Sequence, residues 1–150
     1  METEKEMSNT NVSDFMDTVA SDYEPPKPLP KGRYMLTARN YEAGRVPNEK
    51  QTPFVRVFFS PSAIIDAPEA TRADLEKATD IQHDFWMSDK SAYRTKEWFK
   101  DVLGFEVEGR TFGELFEQAI GSTVVAQIGH ELRGKKKNFT VAVVEDFIPE

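Results

Sequence analysis

Cysteine is absent from the 150 residues, and the only histidines are His83 and His130. The first absence excludes disulfide scaffolds, cysteine nucleophiles and thiolate metal centres, and fits a reducing compartment. The second leaves little material for histidine-based chemistry, and the two histidines lack the spacing that metal sites use. No apolar run approaches the ~18–20 residues of a membrane span, so no membrane association is expected. The acidic opening Met1-Glu2-Thr3-Glu4-Lys5-Glu6 has no apolar stretch, so no secretory signal is expected there. Phosphate loop, nucleophile elbow and dinucleotide fingerprint are all missing, and the glycines from Gly104 to Gly113 do not have G-x-G-x-x-G spacing. Asp84, Asp89 and Asp101 fall on different predicted elements, and Glu145, Asp146 and Glu150 read as a solvated chain end. His83, on an apolar strand face, reads as a core residue. The expectation is a protein without catalytic residues, cofactor or metal.

Apolar residues make up only 39%, yet there are 11 Phe, 2 Trp and 4 Tyr, too many for a wholly disordered chain. A real core plus a polar tail reconciles the two. Charge follows the same division. Of the net charge of -7, residues 1–24 carry -6 (seven acids against Lys5), which leaves -1 for residues 25–150. The domain organisation expected is therefore a disordered acidic tail at 1–24, a stiff proline-rich linker at 25–30 and one folded domain at 31–150. Within the tail, Phe15, Met16 and Val19 share one face of a short helix and suggest a partner-docking motif that folds on binding.

In the folded part, Tyr34, Leu36 and Ala38 alternate with polar neighbours and predict a strand over 32–41. Residues 42–52 are turn formers. Phe54–Phe59 predicts a second strand, closed by Ser60-Pro61. A short helix is predicted from Pro68 to Ala78. Ile81–Met87 predicts a third strand with Gln82, Asp84 and Trp86 on the face opposite His83 and Phe85. Helices follow over 91–103 and, from the capping box Thr111-Phe112-Gly113-Glu114, over 111–120. Strands over 123–132 and 139–147 form a hairpin around the basic turn Arg133-Gly134-Lys135-Lys136-Lys137-Asn138. A mainly β chain with this β-β-β-α-β-β order predicts a five-stranded OB-type barrel.

Such barrels bind oligonucleotides on strands two and three and through the loops joining strands 1–2 and 4–5. Here these loops carry Arg45 and Lys50, and Arg133, Lys135, Lys136 and Lys137. If Val55, Val57 and Phe59 face the core, Phe54, Arg56 and Phe58 project outward. Aromatic rings stack bases at ~1–3 kcal/mol each while cations follow the phosphates, as single-stranded nucleic acid requires. Trp86 extends the row, and Arg33, Arg39 and Tyr41 are the outward residues expected of strand one. The bland alternatives are solvated lysines at a hairpin tip, and aromatics covered by the 61–79 segment or by a second subunit.

Leu29-Pro30-Lys31-Gly32-Arg33-Tyr34, Pro53-Phe54-Val55-Arg56-Val57-Phe58-Phe59, Asp84-Phe85-Trp86-Met87 and Thr95–Gly104, followed by the Gly121–Phe147 hairpin, resemble the single-strand DNA-binding-like proteins of the tailed-phage replication and recombination region. The resemblance spans about residues 29–147. It implies an OB fold, sequence-tolerant binding of single-stranded DNA in support of viral replication or recombination, and residence in the cytoplasm of an infected host cell. It also implies that the acidic tail recruits replication or recombination proteins, although in that group the tail is usually C-terminal. The sequence is compatible with a homo-oligomer. The competing reading is a protein-interaction or virion-associated module whose exposed aromatics bind another chain.

Overall fold

The computed structural model describes residues 27–47, 49–133 and 139–149, together with Met16. Five antiparallel strands form one sheet: β1 (Gly32–Arg45), β2 (Pro53–Asp66), β3 (Ile81–Trp86), β4 (Thr123–Arg133) and β5 (Phe139–Ile148). Their spatial order is β3-β2-β1-β4-β5. A short helix α1 (Arg72–Lys77) lies between β2 and β3. Helix α2 (Ala92–Glu97), a π-helical turn (Trp98–Val102) and helix α3 (Phe112–Ala119) lie between β3 and β4. The strand and helix order is therefore the expected one. The edge strands β3 and β5 share no hydrogen-bonded ladder among the described residues. They meet instead through side chains: the His83 ring stands perpendicular to Phe147 at 5.0 Å, and Phe85 stacks on Phe147 at 6.2 Å.

Period-two alternation puts Tyr34, Leu36 and Ala38 of β1, Val57 and Phe59 of β2, and Val124, Ala126 and Ile128 of β4 inside. The helices cover this face with Trp98, Phe99, Leu115, Phe116 and Ala119. Each fully buried Phe or Leu stabilises the fold by about 1.5–3 kcal/mol. Tyr34 is wholly buried, and its hydroxyl donates to the Pro30 carbonyl at 2.6 Å, which removes the cost of an orphaned polar group. Leu29 is buried too, and its carbonyl lies 2.8 Å from His130 Nε2. The end of the proline-rich segment is thus docked on the domain and is not a mere spacer.

Three local expectations are corrected. Strand β2 does not stop at Ser60-Pro61 but runs to Asp66. Pro61 pairs with Leu36 next to a register shift, and such irregularities are where a sheet tolerates a residue with no N–H. The first helix starts later than Pro68, because Thr71 and Asp74 form a reciprocal capping box there. The helix expected over 91–103 is α-helical only to Glu97. The π-helical turn that follows places the successive residues Trp98 and Phe99 both in the core. The tail expectations for Phe15 and Val19 lie outside the described residues; Met16 is exposed.

Candidate nucleic-acid interface

The ladder between β2 and β3 pairs Phe54 with Trp86, Arg56 with Asp84, and Phe58 with Gln82. Val55, Val57 and Phe59 pair with Phe85, His83 and Ile81 on the opposite, inner face. Side chains two apart along a strand share a face, so Phe54, Arg56, Phe58, Gln82, Asp84 and Trp86 form one outward row. Trp86 is 44% exposed. Its ring meets Phe54 edge-on at 5.8 Å, and the Arg56 guanidinium lies over Phe54 at 5.2 Å.

Phe54 owes its position to a glycine. Gly44 of β1 pairs with Phe54, and a Cβ at Gly44 would come within 2.9 Å of the ring tip. The ring therefore lies across bare backbone, which fixes its plane beneath Arg56. Loop 46–52 closes the end of the row. Val46 N–H donates to the Thr52 carbonyl at 3.1 Å, and Arg45 Nη1 donates to the Gln51 carbonyl at 3.1 Å. Lys50 is exposed on the same loop.

Arg56 does not stand alone in the row. Its Nε donates to Asp84 Oδ1 at 2.7 Å and its Nη2 to Asp84 Oδ2 at 3.1 Å, a bidentate fork with both side chains about one third exposed. The bond to Asp84 holds the guanidinium pKa above its ordinary value. Burial pushes the neighbouring His83 imidazole below its ordinary value, with the charge of Asp84 pulling weakly the other way.

Part of the row, Arg56, Gln82, Asp84 and Trp86, lines a groove of about 370 Å³ between β3 and β5. Its lining includes Arg56, Asp84 and Trp86 from one side and Glu131, Arg133 and Val143 from the other. Arg133 is half exposed and donates through Nε to Glu131 Oε2 at 2.6 Å. The groove thus holds two Arg–carboxylate pairs. Lys135, Lys136 and Lys137, which follow Arg133 in the sequence, lie outside the described residues.

Strand one departs from expectation. A register shift between Ala38 and Asn40 makes Arg39 a bulge residue, and alternation reverses beyond it. Tyr41 consequently pairs with Val57 on the inner side, packs on Phe116 at 5.7 Å and donates to Glu117 Oε2 at 2.8 Å. Asn40, Glu42 and Gly44 take the outward places opposite Phe58, Arg56 and Phe54. Arg39 itself lies 3.8 Å from Asp80, just ahead of β3. Arg33 is exposed and donates to Gln127 Oε1 at 3.3 Å, but it pairs with Asp66 at the opposite end of the β1–β2 ladder from Phe54. The structure therefore places Phe54, Arg56, Phe58 and Trp86 in one outward row, with Arg56 and Trp86 sharing the groove with Arg133; Arg45, which pairs with Pro53 one residue past the outward Gly44, and Arg33 lie apart from the row, and Tyr41 turns inward. Asp84 was expected on this outward face, but its pairing with Arg56 was not, and Glu131 was missed; the two pairings become visible only through cross-strand register and the i, i+2 spacing of Glu131 and Arg133.

Among the described residues no cluster of three or more metal-ligating side chains occurs, and no helix is long and apolar enough to cross a membrane. No family model matches the sequence, and no curated protein shows significant similarity to it.

Proposed function

We propose that this chain is an OB-type barrel that binds single-stranded DNA with little sequence preference, in support of viral replication or recombination. The observation that carries the reading is the outward row of Phe54, Phe58 and a 44%-exposed Trp86 beside the β3–β5 groove. The strand order β3-β2-β1-β4-β5, with helices between β3 and β4, supports a barrel whose last seam is packed by His83, Phe85 and Phe147 rather than hydrogen-bonded. In this account bases stack on the rings, and the phosphate chain runs toward Arg45 and Lys50 at one end and toward Arg133 and the lysine turn at the other. Trp86→Ala and Phe58→Ala are each expected to weaken oligo-dT binding by about 1–3 kcal/mol while leaving the melting temperature nearly unchanged. Two variants that melt normally and bind oligo-dT like wild type would sink the stacking platform.

One observation favours the competing reading of a protein-interaction module. Leu132 and Phe139 are about half exposed at the hairpin end, and the facing edges of β3 and β5 share no ladder. That reading predicts a stable assembly in sedimentation without nucleic acid, and Leu132→Asp with Phe139→Asp would dissociate it.

A further inference from the structure

We propose that the cavity at the hairpin end of the β3–β5 seam takes one base of the bound strand, and that Phe139 is the ring on which this base stacks. The inference rests on the single-strand-binding reading above and adds a second stacking site to it. The register of the hairpin places the ring. Strands β4 and β5 pair Ile128 with Val144, Gly129 with Val143, Glu131 with Val141 and Arg133 with Phe139. Ile128 is wholly buried, so alternation turns Glu131, Arg133 and Phe139 to the outward face. Phe139 is 47% exposed there, directly across the ladder from Arg133.

A cavity of about 320 Å³ adjoins this ring, at the low end of the ~300–1,000 Å³ of small-molecule sites. Phe139 and Arg133 line it from the hairpin, Ile81 and Gln82 from β3, and Lys27 and Leu29 from the proline-rich segment. Gln82 and Arg133 also line the groove beside Trp86, so cavity and groove adjoin along the seam. From Ile81 at the cavity to Trp86, β3 rises about 16 Å, which leaves the two rings far enough apart to stack different bases. Leu29 and Ile81 are buried and make an apolar floor. Lys27 and Arg133 stand at the walls with the carboxylate of Asp80, which Arg39 approaches at 3.8 Å. An exposed flat ring, an apolar floor and cations at the walls suit the three parts of a nucleotide: base face, base edge with sugar, and phosphate. A strand that leaves Trp86 along the groove reaches this cavity next.

The test is an anisotropy titration of the full chain with labelled oligo-dT of about 16 nucleotides, enough for the largest OB-fold sites. Phe139→Ala is expected to weaken binding about fivefold or more, the loss of one stacked base. Its log–log salt slope is expected to stay unchanged, because a ring neutralises no phosphate. Phe139→Tyr keeps the ring and is expected to bind like wild type. In wild type, a photoreactive 5-iododeoxyuridine walked along the oligomer is expected to crosslink to Phe139 from one position and to Trp86 from another. Wild-type affinity in Phe139→Ala, a loss that Phe139→Tyr shares in full, or the absence of any crosslink to Phe139 overturns the inference. So does a Phe139→Ala protein that binds normally yet sediments as a smaller species than wild type, which would assign the ring to a protein interface. In each case Trp86-dependent binding of oligo-dT leaves the first platform standing. Failure of the wild type to bind overturns both.

Discussion

His83 is the side chain at which the seam between β3 and β5 is most exposed to a change of conditions. It is wedged against Phe85 at 4.7 Å and Phe147 at 5.0 Å, with Asp84 next in the chain and Arg56, Glu131 and Arg133 lining the same groove. Burial lowers its pKa below the ordinary value of 6.5. The unfolded chain then binds the proton more readily, so the stability is fully present above about pH 6.5 and declines as pH falls through the folded-state value. Thermal melting is expected to drop by about 4 °C per kcal/mol lost between about pH 7 and about pH 5. His83→Phe, which keeps the ring contacts, is expected to show a much smaller drop, and an equal drop would remove His83 from the account. The strand pattern in the sequence already puts His83 on an apolar face. Its aromatic neighbour on β5 was not legible, because nothing local in Phe147 says which edge strand it meets.

At the scale of elements, the register of β1 depends on Gly32. Its φ is +151°, and a Cβ there would sit 2.6 Å from the Asp66 carbonyl and overlap Ala67. Gly32→Ala is therefore expected to cost about 2–3 kcal/mol in denaturant unfolding, through strain at the backbone and the forced parting of β1 from the end of β2. An unchanged midpoint would show that the strand ends separate freely. All five strands and the capping box of α3 were legible, since alternation and Thr111-x-x-Glu114 are local signals. The bulge at Arg39 was not. A single extra residue in a strand leaves the composition of Ala38-Arg39-Asn40-Tyr41 unremarkable, yet it turns Tyr41 from the outward face to Glu117. The π-helical turn escaped for a similar reason: the burial of Trp98 and Phe99 together is set by the core they enter.

For the whole molecule, the near-neutral balance of residues 25–150 and the -6 of residues 1–24 set the electrostatics of binding. Deleting residues 1–24 is expected to tighten oligo-dT binding at low salt, with the gain fading as salt screens the acids. The melting temperature is expected to hold, since Leu29 and Pro30, which dock on the domain, remain. A large loss of stability would make the tail a structural element. The candidate site was legible as a row of residue types, because a period of two predicts which side chains share a face. Its charge was not: alternation places Asp84 in the row, but the pairings Arg56–Asp84 and Arg133–Glu131 that balance the arginines are set by register and side-chain geometry. The most direct measurement is a Trp-fluorescence titration of the full chain with oligo-dT at two salt concentrations, run beside the triple variant Lys135→Gln, Lys136→Gln and Lys137→Gln. The account predicts saturable quenching and an affinity that falls with salt, with a log–log slope smaller by about 0.7 for each phosphate contact the variant loses. Absence of binding by wild type at low salt, with a stable assembly of the protein alone, would contradict it.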